Sequence, residues 1–185
     1  MRLKYNRMSF GKKEKRITFV HLNKPWKLGL AGMVTSPMFQ ENIAVVIDDT
    51  PFEESDYDYA CLACDKQGKA PRIMMNSRVF YDIKRGTQEA RTILLHELGH
   101  YKNNDIPNGS GTDEGERESL AGAGKVSPAE LQADAFAAEY LGTEIVANGL
   151  AALKERVLHD YADYEQDYCD ATVKELEARI AALLR

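Results

Sequence analysis

Long hydrophobic runs are missing from this 185-residue chain. None approaches the roughly 20 apolar residues that a membrane-spanning helix needs. The opening stretch, MRLKYNRMSFGKKEKRITFV, is basic yet lacks the apolar centre of a secretory signal, which predicts a cytoplasmic protein. Cysteine is scarce. Cys61, Cys64 and Cys169 make an odd count of three, which argues against a disulfide framework and for reduced thiols. Cys61 and Cys64 form a CxxC, but a structural zinc site wants four ligands and the chain has no second CxxC. Cys169 or His159 could complete the set only if the tail folded back. Acidic residues are nearly missing from residues 1–30, where Glu14 stands against nine Lys and Arg, while the remainder is acidic and the whole chain carries a net charge of −5. Such a segment suits nucleic acid or an acidic partner. No recognisable nucleic-acid-binding motif accompanies it, so the plainer expectation is a solvated terminus.

What is present is the composition of a globular domain: 44% hydrophobic and 29% charged residues. Residues 17–20 (ITFV) and 43–48 (IAVVID) have the β-branched, apolar character of strands, the second stopped by Asp49-Thr50-Pro51. The stretch EESDYDYACLACDKQGKAP reads as a loop or irregular hairpin, and RIMMN after Pro71 as a short strand. Thr87 is placed to cap a helix running to about Asn103. Residues 103–126 are Gly-, Asn- and acid-rich without apolar period, a long loop of the kind that either edges an active site or is disordered. Ser127-Pro128 starts another helix that stops near Gly142. Two more follow, at about 143–159 and 161–184, the last with a seam of Val173, Leu176, Ile180 and Leu183.

The chemistry-bearing stretch is His96-Glu97-Leu98-Gly99-His100. Residues four apart on a helix share a face, so the imidazoles of His96 and His100 can reach one metal ion. Two neutral imidazoles suit Zn²⁺, and a carboxylate such as Glu97 beside a metal-bound water is what metal-assisted hydrolysis needs. Gly99 inside the helix makes sense if another backbone or a substrate must come close. A third ligand is wanted. Glu130 is the best candidate, with Asp134 one turn on to accept the free ring N–H of a ligand histidine. Two alternatives stay open: Ser127-x-x-Glu130 is also a capping box, which would leave Asp134 as the ligand, and Glu139 is a more distant choice. Tyr101, Tyr140 and His159 are the candidate oxyanion donors. The strand near Ile73–Met75 offers itself for pairing with an extended substrate.

HExxH followed by ExxxD on a later helix resembles the gluzincin class of zinc peptidases. Within it, RIMMN, LLHELGHY and ELQADAFAAEYL look most like the ImmA/IrrE-type cytoplasmic metallopeptidases, over about residues 71–142. The resemblance implies regulatory cleavage of a protein substrate.

These readings combine into an expectation. The fold class is α+β, a small mixed or antiparallel sheet packed on an active-site helix and a second ligand-bearing helix, with C-terminal helices. The chain divides into a basic arm or first strand region (1–30), a metallopeptidase core (31–142) and a helical extension (143–185). The expected function is a Zn²⁺-dependent metallopeptidase acting on a protein or peptide. His96, His100 and Glu130 hold the metal, Glu97 is the general base and Asp134 supports a histidine. The alternative is a non-catalytic, peptidase-like regulator or partner-binding module with a structural zinc.

Overall fold

A computed structural model describes residues 5–25, 29–50, 59–65, 69–105, 126–162 and 166–185. The chain divides into two compact units, residues 1–87 and 88–185. The first unit carries the strands and the second is helical, so the α+β class stands.

In the first unit, β1 (Tyr5–Phe10), β2 (Ile17–Leu22), β3 (Leu30–Thr35), β4 (Ile43–Ile47), β5 (Ala60–Ala63) and β6 (Arg72–Met75) form a six-stranded sheet in the order β1-β2-β3-β4-β6-β5. The sheet is mixed. β4 and β6 run parallel and every other pair is antiparallel. Much of the basic N-terminal stretch is therefore built into β1, β2 and the 3-10 turn Lys13–Lys15 between them.

Side chains alternate across a strand, so register decides which residues share a face. Phe19 lies opposite Val34, and Val34 opposite Ile43; Val45 lies opposite Ile73, and Ile73 opposite Leu62. All six are buried, and this is the apolar face. At Gly32 a Cβ would stand 2.6 Å from the Phe19 ring and 2.6 Å from the Val20 carbonyl, so glycine is what lets that ring lie across β3. Helix α1 (Ser77–Arg85) adds buried Val79, Phe80 and Ile83 to this unit. Asn76 caps it by accepting from the Val79 N–H at 2.9 Å, and Gly86, at φ 81°, ends it in the left-handed conformation. The sheet and α1 meet through rings: His21 lies between Phe19 (5.2 Å, centroid to centroid) and Phe80 (6.1 Å).

The CLAC stretch, read as a loop or irregular hairpin, contains a strand, β5, which pairs antiparallel with β6. One expectation is corrected here. The strand at Ile73–Met75 is not open to an incoming peptide. It is β6, paired on one side with β4 and on the other with β5, which leaves β1 and β5 as the edges.

The second unit holds α2 (Gln88–Asn103), α3 (Pro128–Leu141), α4 (Thr143–Asp160) and α5 (Gln166–Leu183). Helix α2 is buried along most of its length and packs on both α3 and α4, while α5 packs on α4 and α3. Asn104, at φ 62°, stops α2, and the N–H of Asp105 returns to the His100 carbonyl at 2.9 Å. Glu89 of α2 and Arg156 of α4 form a buried two-point ion pair, Nε–Oε1 2.7 Å and Nη2–Oε2 2.8 Å. Residues 106–125, most of the Gly-rich loop and with it the expected gating role, lie outside the described residues. No described helix is long and apolar enough to cross a membrane.

Candidate metal centre

Gly99 places the site. A Cβ there would stand 2.7 Å from Ala133 Cα and 2.9 Å from its carbonyl oxygen, so α2 and α3 cross backbone to backbone at this point. The close approach needs the glycine, which explains why α2 tolerates a residue that costs about 1 kcal/mol of helix propensity. Flanking the crossing are His96 and His100 on α2 and Glu130 and Asp134 on α3.

His96, His100 and Glu130 each turn a donor atom inward, all within 4.8 Å of one another. His100 Nε2 lies 3.0 Å from His96 Nε2 and 3.5 Å from Glu130 Oε1, and His96 Nε2 lies 3.1 Å from Glu130 Oε2. His96 and Glu130 are buried and His100 is half-buried. Two ring nitrogens and a carboxylate converging in this way make a donor set able to hold a divalent cation. Ser127 caps α3 by accepting the Glu130 N–H at 3.3 Å, while the Glu130 side chain turns into the cluster. Asp134 Oδ1 lies 2.8 Å from His96 Nδ1, the ring nitrogen facing away from the other donors.

One residue of the centre escaped the sequence reading. Arg179 of α5 is buried, and its guanidinium runs along both carboxylates of α3. Its Nε and Nη2 grip Asp134 at 2.8 and 2.7 Å, and Nη1 reaches Glu130 Oε2 at 2.9 Å. Nη2 also comes within 3.0 Å of His96 Nδ1. A signal was there: Arg179 sits three residues after Leu176 and four before Leu183, a charge on the apolar seam of the last helix.

Burial and the Arg179 charge both oppose protonation of His96, but Glu130 and the Asp134 hydrogen bond prevail and raise its pKa to about 9. Burial would raise both carboxylates. Arg179 and His96 outweigh it, holding Glu130 well below and Asp134 below the usual carboxylate range.

The remaining expected site residues are not in the cluster. Glu97 is buried on α2 but stands outside the group of converging donors. His159 lies at the end of α4, its side chain 84% exposed and 2.9 Å from Asp160. Tyr140 packs against Phe136 at 5.0 Å, and Tyr101 is half-buried on α2. Among the described residues, no metal-binding group includes Cys61, Cys64 or Glu139.

These findings correct the peptidase reading. A catalytic zinc keeps a position open for water and substrate. Here two of the three donors, His96 and Glu130, are buried, and a guanidinium fixed by two carboxylates stands against Glu130. The arrangement is a metal-binding triad and does not support the hydrolytic centre, with Glu97 as base, that the sequence motif implied. The likeness to gluzincin and ImmA/IrrE-type peptidases does not extend beyond the short motifs. No family model matches the chain, and neither a curated protein nor a solved structure is similar to it.

Proposed function

We propose that this protein is a non-catalytic regulator or partner-binding module whose helical unit is held by a divalent cation, Zn²⁺ by the chemistry of the donors. Helices α2 and α3 are the ligand-bearing helices, with His96, His100 and Glu130 as ligands and Asp134 orienting His96. The observation that carries the reading is Arg179. Its buried guanidinium balances Glu130 and Asp134 and ties α5 to the same cluster, an arrangement suited to holding three helices together. A metal there joins α2 to α3, so its binding free energy adds to the stability of the fold.

The test is metal analysis together with thermal unfolding. Purified protein should carry close to one zinc per chain, and a chelator should lower its melting temperature. His100→Ala should lose the metal and most of the chelator effect. A wild-type chain that binds no zinc, with a melting temperature indifferent to zinc and chelator, would overturn the metal role. Hydrolysis of a peptide library that disappears in Glu97→Gln would overturn the non-catalytic role.

A further inference from the structure

The basic N-terminal stretch has a counterpart in the structure that is independent of the metal centre. Ser9 of β1 lies opposite Thr18 of β2, and Thr18 opposite Thr35 of β3. Val34 pairs with Ile43, so the β3–β4 register continued by one step sets Asn42 opposite Thr35. A rung of polar side chains thus crosses β1, β2 and β3 and reaches the residue before β4, near one end of the sheet. It lies on the face opposite Phe19 and Val34, because side chains alternate. Thr18 is buried, and its hydroxyl lies 3.4 Å from that of Ser9.

A groove of about 330 Å³ opens over this rung, lined by Lys13, Arg16, Thr18, Thr35, Ser36, Pro37 and Asn42. Two cations, three hydroxyls and a carboxamide supply its polar groups; no carboxylate and no aromatic ring lines it. Neither Lys13 nor Arg16 has an ion-pair partner among the described residues, and both are exposed. Two cations without an ion-pair partner among the described residues stand over a floor of hydroxyls, each able to turn a donor toward an anion.

We propose that the groove is a binding site for a small phosphate-bearing ligand, with one or two phosphoryl groups held by Lys13 and Arg16 from above and by Thr18, Thr35 and Ser36 from the floor. Arginine pairs two N–H donors with phosphate oxygens, lysine adds a point charge, and hydroxyls donate to the remaining oxygens. The absence of an aromatic lining removes the stacking platform that a base would use, so the phosphoryl group is what the site reads. The ligand can be a free phosphate or a phosphate ester of a small molecule; both present the same oxygens.

The experiment is a titration of the full chain, uniformly ¹⁵N-labelled, with inorganic phosphate, pyrophosphate and a small phosphate ester at low ionic strength. Amide shifts should centre on residues 13–18, 35–37 and 42, and added salt should weaken them. A preference for pyrophosphate assigns the site to the free anion, and a preference for the ester to an esterified ligand; either supports the proposal. Both cations are exposed, so Lys13→Glu/Arg16→Glu should keep the melting temperature and weaken binding by about tenfold or more. Thr18→Val, with the charges intact, should weaken it by a smaller factor. Shifts scattered over other basic residues, or equal binding by the double variant, would overturn the proposal. So would binding of a DNA duplex that the double variant abolishes in a protein indifferent to pyrophosphate, which would assign the groove to nucleic acid.

Discussion

Arg179 holds Asp134 by both carboxylate oxygens, Nε to Oδ2 at 2.8 Å and Nη2 to Oδ1 at 2.7 Å, with both side chains buried. This pair joins the last helix of the chain to the helix that carries Glu130. Removing one member of a buried pair leaves the other charge without compensation, which costs about 3–5 kcal/mol. Arg179→Met should therefore lower the urea unfolding free energy of metal-free protein by that order. Because Arg179 also sits against Glu130, zinc should recover more stability in Arg179→Met than in wild type. Equal recovery in the two proteins would show that cation and guanidinium do not share that carboxylate.

Gly99→Ala tests the crossing of α2 and α3. Alanine favours the helix by about 1 kcal/mol, yet its Cβ would meet the Ala133 backbone at 2.7 Å. Overpacking against backbone costs about 1–3 kcal/mol. The variant should be no more stable than wild type by denaturant titration, and its zinc affinity should fall as the helices that carry His96, His100 and Glu130 separate. A gain of a full kcal/mol would mean that the approach is looser than the distances state.

Asp134→Asn keeps the shape of the group on His96 and removes its charge. Partners on the far ring nitrogen of a ligand histidine are worth about 10–100-fold in metal affinity. Competition with a chromogenic chelator should show a loss in that range. An unchanged affinity would confine Asp134 to its pairing with Arg179.

Two histidines make the stability of the metal-free protein depend on pH in opposite directions. Burial lowers the pKa of His21 from 6.5, against a Leu22 carbonyl contact that raises it and with help from the Lys84 charge. The unfolded chain therefore binds the proton more tightly, and this contribution is present above about pH 6.5 and lost as pH falls below it. For His96, whose folded pKa is about 9, the contribution is fully present below 6.5 and is lost as pH rises through 9. Urea midpoints measured across pH 5 to 10 should show a maximum between these limbs. His21→Phe should flatten the acid limb, and His96→Gln the alkaline one. A His21→Phe protein with the wild-type acid limb would rule out His21 as its source.

The sequence carried the local parts of this structure and missed the parts that depend on distant partners. HELGH, ELQAD and Ser127-Pro128 announce α2, α3 and the start of α3 through capping and helical period, which are properties of neighbours in the chain. β1 and β3 went unread because NRMSF mixes polar and apolar residues and LAGMVT contains a glycine, and their strand identity comes from pairing across the sheet. α1 was hidden by its length of nine residues. Arg179 lies 45 residues from Asp134 and 83 from His96, a separation that no local pattern spans. The same limit misled the functional reading: a pentapeptide specifies which rings share a helix face, but not which side chain a later helix brings against them.

The strand order has a consequence in time. β1 through β4 follow one another both in the chain and across the sheet, so each can zip onto the strand before it with only a short loop to close. β5 is made next but, among the described strands, pairs only with β6, which arrives later and must enter between β4 and β5. During synthesis, then, β5 is a strand in waiting, and the arrival of residues 72–75 completes the sheet in a single step. A chain cut after residue 70 should protect the amides of β2 and β3 from hydrogen exchange while leaving those of β5 open, which makes β6 the keystone of the first unit.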